Sequence, residues 1–95
     1  MKMVLMSADA ARLPAVRKDL ATLGVPGYTV IPVVEGGGRT GIHTGDRVHP
    51  GALALVMVID EDAAADRLFE ELVRRRDAHG DEVSLLFLMP VERKA

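Results

Sequence analysis

"ALALVMVID", residues 52–60, is a nine-residue run with no polar side chain until Asp60. Successive side chains of a strand point to opposite faces, so a strand with one wet face alternates apolar and polar residues. This one does not alternate, and both of its faces therefore need cover. The stretch that follows, "EDAAADRLFEELVRRRDAHG", reads as a helix. Asp60, Glu61 and Asp62 crowd its start and Arg74, Arg75 and Arg76 its end, the order that complements the helix macrodipole. The arginine triplet is read as a solvated helix terminus rather than a binding patch. Gly80 stops the helix, and "EVSLLFLMPV" supplies a last strand in which Leu85 to Met89 again fail to alternate.

Upstream, Met3 to Ser7 forms a short apolar strand. In "LPAVRKDLATLG" the residues Leu13, Val16, Leu20 and Leu23 fall on one helical face. Pro14 suits the first helical position and Gly24 the residue just past the end. "GYTVIPVV", from Gly27, is β-branched and aromatic, and Pro32 inside it favours an edge strand or a bulge. The order is β-α-β, a loop over residues 35–50, then β-α-β.

Two such units side by side make an α+β, ferredoxin-like βαββαβ sandwich, with both helices on one face of the sheet. Two helices cannot cover both faces. The remaining apolar face is larger than the few hundred Å² a soluble monomer tolerates, and other copies of the chain are the economical cover. A symmetric homo-oligomer is expected.

The 95 residues allow one domain, residues 1–95, too small to be robust without help. Cysteine is absent, which removes disulfides, thiolate metal sites and cysteine nucleophiles. A formal net charge of -2 and 3% aromatic residues argue against nucleic acid, which asks for basic patches and stacking platforms. Neither a secretory signal nor a membrane-spanning run is legible, so a cytoplasmic location is expected.

The loop "EGGGRTGIHTGDRVHP", residues 35–50, admits three readings. Gly36, Gly37 and Gly38 can free backbone N–H groups for an anion, with Arg39 adding a fork of donors. The plainer alternative is that the glycines only let the chain turn. His43, Asp46 and His49 are spaced by three, as metal ligands could be, but no fourth ligand is apparent, and the preferred reading makes them solvent-exposed loop residues. Acid–base catalysis by Glu35 or Asp46 lacks any recognisable nucleophile or elbow, and His79 is placed at its helix terminus rather than on a substrate. A loop this long is typically functional, and its tip, with His43, Asp46, Arg47 and His49, would meet a partner.

"LPAVRKDLATLGVPGYTV", "VEGGGRTGIH" and "FLMPVERKA" together resemble the PII signalling proteins and their PII-like relatives. That family shows a Leu-Gly-Val turn after its first helix, a Gly-x-Thr-Val strand, a Gly-x-Gly-Arg opening to a long T-loop, and a final Leu-Pro-Val-Glu. The resemblance runs in order through nearly the whole chain. It implies a trimer of ferredoxin-like subunits with inward-facing sheets. It also implies clefts between subunits, where the loop base meets a neighbour's segment between the second helix and the last strand. In the family these clefts commonly bind adenine nucleotides, and the T-loop then docks on a transporter, enzyme or regulator.

Carried over, Thr29, Gly36, Gly38 and Arg39 match the strand and loop-base positions, and Gly80 and Asp81 match the segment before the last strand. The family's lysine in that segment falls on Ser84, and the glutamine that follows the loop arginine in nitrogen-sensing members is Thr40. The T-loop is shortened, and the sequence stops at Ala95, before the arginines that complete the usual ATP pocket. Nitrogen sensing in its usual form and a full triphosphate clamp are therefore not expected. The resulting expectation is a non-enzymatic PII-like regulator that binds a small anionic metabolite, an adenine nucleotide being the candidate. Thr29, Gly36, Gly38, Arg39, Gly80 and Arg93 would hold the ligand, with no required cofactor and no bound metal. Alternatives are a ligand-independent adaptor trimer and a metal-binding trimer of the CutA-like type.

Overall fold

The computed structural model describes residues 1–33, 36–38, 41–43, 53–80 and 84–95. Four strands, β1 (Lys2–Asp9), β2 (Thr29–Pro32), β5 (Leu53–Asp60) and β6 (Leu85–Pro90), form one sheet in the order β2-β5-β1-β6. Each adjacent pair is antiparallel. Strands β3 (Gly36–Gly38) and β4 (Gly41–His43) make a separate two-stranded ladder. Helices α1 (Leu13–Thr22) and α2 (Asp62–Ala78) complete the α+β fold expected from the sequence.

β1 starts one residue before and ends two residues after the Met3–Ser7 stretch read from the sequence, whereas β2 and β6 begin later than the stretches read from Gly27 and Glu82. β1 and β5 are apolar on both sides but alternate strictly in burial. Val4, Met6 and Ala8, with Ala54, Val56 and Val58, are buried, while the residues between them are only half-covered. The buried side packs against Val16 and Leu20 of α1 and against Ala65, Leu68 and Leu72 of α2. Leu13 and Leu23 join that core at its margin, which completes the helical face read from the spacing.

Helix α1 follows a short 3₁₀ turn, Ala10–Arg12, capped by the Asp9 carboxylate accepting from the Ala11 N–H at 2.9 Å. Pro14 lies in the first turn, where its missing N–H costs nothing. Gly24 (φ +71°) and Gly80 (φ +65°) stand past the two helix ends in the left-handed region that side chains disfavour. Long-range ion pairs fix the helices. Arg75 of α2 donates to Asp19 of α1 at 2.7 Å and to Glu71 at 3.3 Å, and this pairing holds its guanidinium above the ordinary arginine range, Asp19 being the main cause. Lys2 of β1 donates to Asp66 at 2.7 Å, and the Met1 amine to Asp62, which ties the start of α2 to the start of β1.

The other face of the sheet carries no helix. The register sets Met3 between Ile59 and Met89, Leu5 between Met57 and Phe87, and Ser7 between Leu55 and Leu85. On β2, Ile31 lies opposite Leu55. Leu85 and Phe87 remain 54% and 47% exposed, and Ile31 and Ile59 are exposed as well. This continuous apolar surface is the one anticipated from the missing alternation.

Candidate functional site

The strand directions gather four chain segments at one end of the sheet. β1 and β2 finish there, at Asp9 and Pro32, and β5 and β6 begin there, at Leu53 and Leu85. The chain leaves β2 and enters β5 at this end, where the Val33 N–H donates to the Leu53 carbonyl at 3.0 Å. The junction between α2 and β6, with Gly80 and Ser84, opens at the same end.

These two features share an end but occupy opposite edges. Thr29 begins edge strand β2, exposed, opposite Met57. Ser84 directly precedes edge strand β6, and Gly80 closes α2. Three strand spacings, roughly 14 Å, separate the two edges. One chain therefore does not bring Thr29 together with the α2–β6 junction. Arg93 lies farther still. It follows β6 at the far end of that strand, where the tail is held by the Val91 N–H donating to the Met1 carbonyl at 3.0 Å.

Gly36 and Gly38 sit on β3, with Gly36 opposite His43, Gly37 opposite Ile42 and Gly38 opposite Gly41. The glycine triplet was expected to be an irregular loop and is instead half of a ladder. An extended strand turns successive N–H groups to opposite sides, so in this conformation the triplet is not a concave anion nest. His43 is on β4. Arg39, Asp46, Arg47 and His49, all singled out from the sequence, lie outside the described residues. Among the described residues no group of histidines and carboxylates is arranged to hold a metal.

Ser84, at the family's lysine position, is 2% exposed. Its carbonyl accepts from Arg76 Nη1 at 3.4 Å, and Arg76 also donates to Asp77 at 3.0 Å. The arginine triplet is thus more engaged than a solvated terminus: Arg74 pairs with Glu71 at 2.6 Å, Arg75 bridges the helices, and Arg76 fastens the start of β6. Strand parity carried part of this signal, since Ser84 shares a side with Leu86 and Leu88, which pack on the core.

The family model for nitrogen regulatory protein P-II matches residues 1–94. The chain belongs to the nitrogen regulatory protein P-II family. Proteins of this family are regulators. The solved structures it resembles include a PII-like signalling protein from Thermus thermophilus, with TM-score 0.70 and 19% identity over 95% of this chain and 85% of that one. They also include CPII, a nitrogen regulatory PII-like protein from Thiomonas intermedia K12 bound to ADP, AMP and bicarbonate, with TM-score 0.67 and 18% identity over 93% and 88%. CPII bound to ADP and bicarbonate gives TM-score 0.65 and 23% identity over 97% and 88%. At these identities the likeness concerns the fold. No curated protein sequence matches the chain. Among the described residues of this P-II family member, no helix is long and apolar enough to cross a membrane.

Proposed function

We propose that this chain is a cytoplasmic, non-enzymatic PII-like regulator that folds as one domain over residues 1–95 and works as a homotrimer. It binds a small anionic metabolite, an adenine nucleotide, in clefts between subunits, and it reports occupancy to a partner protein through the 35–50 loop. One observation carries the reading. The loop root and the α2–β6 junction share an end of the sheet on opposite edges, beside an apolar face left exposed in the single chain. Joining the edge of one subunit to the opposite edge of the next closes a ring and unites the two half-sites. The ADP and AMP held by CPII support the choice of ligand.

Arg39, Gly36 and Gly38 of one subunit and Gly80 of the next would flank the phosphates, with Thr29 lining the cleft and Arg93 a second cation. Buried Ser84 offers no ammonium, which favours a mono- or diphosphate over a triphosphate. Calorimetric titration with ATP, ADP, AMP and cyclic dinucleotides, with and without bicarbonate, tests this on the wild type and on Arg39→Ala. Binding of an adenine nucleotide that weakens in Arg39→Ala is expected. A wild type that gives no heat with any of them would leave the ligand-independent adaptor in its place.

A further inference from the structure

A groove of ≈ 390 Å³ runs between the α1–β2 turn and α2, lined by Leu23, Val25, Leu68, Asp60, Arg67 and Glu71, among others. It lies on the helix layer. Asp60 shares its side of β5 with buried Val56 and Val58, so the groove and the bare apolar face are on opposite sides of the sheet. Covering that face with other subunits leaves the groove open to solvent.

The floor is aliphatic: Leu68 is buried, and Leu23 and Val25 pack against the core. Gly24 leaves the mouth clear, since a side chain there would meet nothing within 4 Å. The charges on the rim are unequal in commitment. Glu71 is already neutralised by Arg74 and Arg75. Asp60 uses one oxygen locally, accepting from the Glu61 N–H at 2.8 Å just before α2. Arg67 has no ion pair or hydrogen bond among the described residues, although acidic Asp66, Glu70 and Glu71 line a second depression beside it. Ala64, one turn before Arg67 on α2, lines the groove with Arg67 and with Asp60 at the end of β5, and its side chain is small. Helical side chains lean toward the N-terminus, which carries Arg67 over Ala64 toward Asp60.

A pocket of this size with an apolar floor and a few convergent polar groups has the ordinary composition of a small-ligand site. The geometry points to a free aliphatic α-amino acid as the occupant. Its carboxylate pairs with the planar fork of Arg67, its ammonium with the uncommitted oxygen of Asp60, and its side chain covers Leu23, Val25 and Leu68. A simple anion would satisfy Arg67 and be repelled by Asp60; a simple cation would meet the reverse. The zwitterion matches both.

The test is an NMR titration of the full chain with L-leucine, isocaproate, which lacks the ammonium, and isoamylamine, which lacks the carboxylate. Leucine is expected to shift the amides of Gly24 and Val25 and the methyls of Leu68. Each truncated analogue should bind about ten- to a hundredfold more weakly, the loss expected for one hydrogen bond to a charged group. Arg67→Gln and Asp60→Asn should each weaken leucine by a similar factor with circular dichroism unchanged, because Arg67 is exposed and the asparagine oxygen can still accept from the Glu61 N–H. Nucleotide binding should be indifferent to Arg67→Gln. The assignment is overturned if leucine leaves the groove resonances unmoved, if isocaproate binds as tightly as leucine, or if Arg67→Gln binds leucine like the wild type.

Discussion

Leu5 and Phe87 stand opposite each other across β1 and β6, on the face of the sheet turned away from both helices. Met57 flanks Leu5 on its other side. The middle of the sheet thus offers solvent a row of three large apolar side chains, which is the arrangement of a buried layer rather than of a finished surface.

The first prediction concerns that row. Phe87 is 47% exposed in the single chain, so Phe87→Asp should leave the fold intact by circular dichroism. A charge in a desolvated contact is costly, and the assembly should come apart. Light scattering should return a trimer mass for the wild type and the mass of one chain for the variant. A wild type that runs as a single chain would remove the reason for placing ligand clefts between subunits.

The second prediction is the opposite case. Leu20 is 1% exposed at the centre of the core under α1. Leu20→Ala leaves a cavity and should cost about 2–5 kcal/mol. Urea titration should show a lower midpoint at an unchanged slope. A loss below about 1 kcal/mol would mean the core re-forms around the gap, against the close packing expected of protein interiors.

The third prediction concerns pH. The hydrogen bond to Asp66 raises Lys2 above its usual 10.5. A raised folded-state value means the contribution is fully present below 10.5 and is lost as pH climbs through the folded value. The hydrogen bond from the Met1 amine lowers Asp62 below its usual 3.8, so that contribution is present above 3.8 and is lost as pH falls through the folded value. Stability measured across pH should therefore show Lys2→Met trailing the wild type from neutrality to 10.5 and converging with it above. A gap that persisted in strong alkali would assign the effect to the packing of the lysine stem.

The fourth prediction concerns Gly24, whose φ of +71° lies where an L side chain clashes with its own backbone. Gly24→Ala should destabilise by about 1–2 kcal/mol, although nothing in space opposes the added methyl. Gly24→Asn, which tolerates that conformation better, should recover part of the loss in thermal denaturation.

The sequence was most informative where side chains carry a pattern. Residues 53–60 and 85–89 lack alternation because one side of each strand faces the helices while the other is apolar and uncovered in the single chain, and that missing alternation alone led to the bare face. The face of α1 from Leu13 to Leu23 was legible for the same reason. The β3–β4 ladder was not, because Gly36 to Gly38 have no side chains to alternate and glycine disfavours strands. Their extended state comes from backbone pairing with Gly41 to His43, which no local pattern records. The Arg75–Asp19 bridge joins residues 56 positions apart, and only the fold brings them together. The groove at Arg67 escaped notice for a different reason. Its lining comes from a turn, a strand end and a helix, each unremarkable when read alone.

The place of β1 in the sheet has a temporal consequence. The first strand of this domain takes both of its neighbours, β5 and β6, from the second half of the 95 residues. While a ribosome still holds the C-terminal stretch, β1 has at least one unpaired edge and an apolar flank in the open. The polypeptide can complete its sheet only once Pro90 has cleared the exit tunnel. Until then the exposed edge lies at the start of the domain, although the piece that completes it is at the other end.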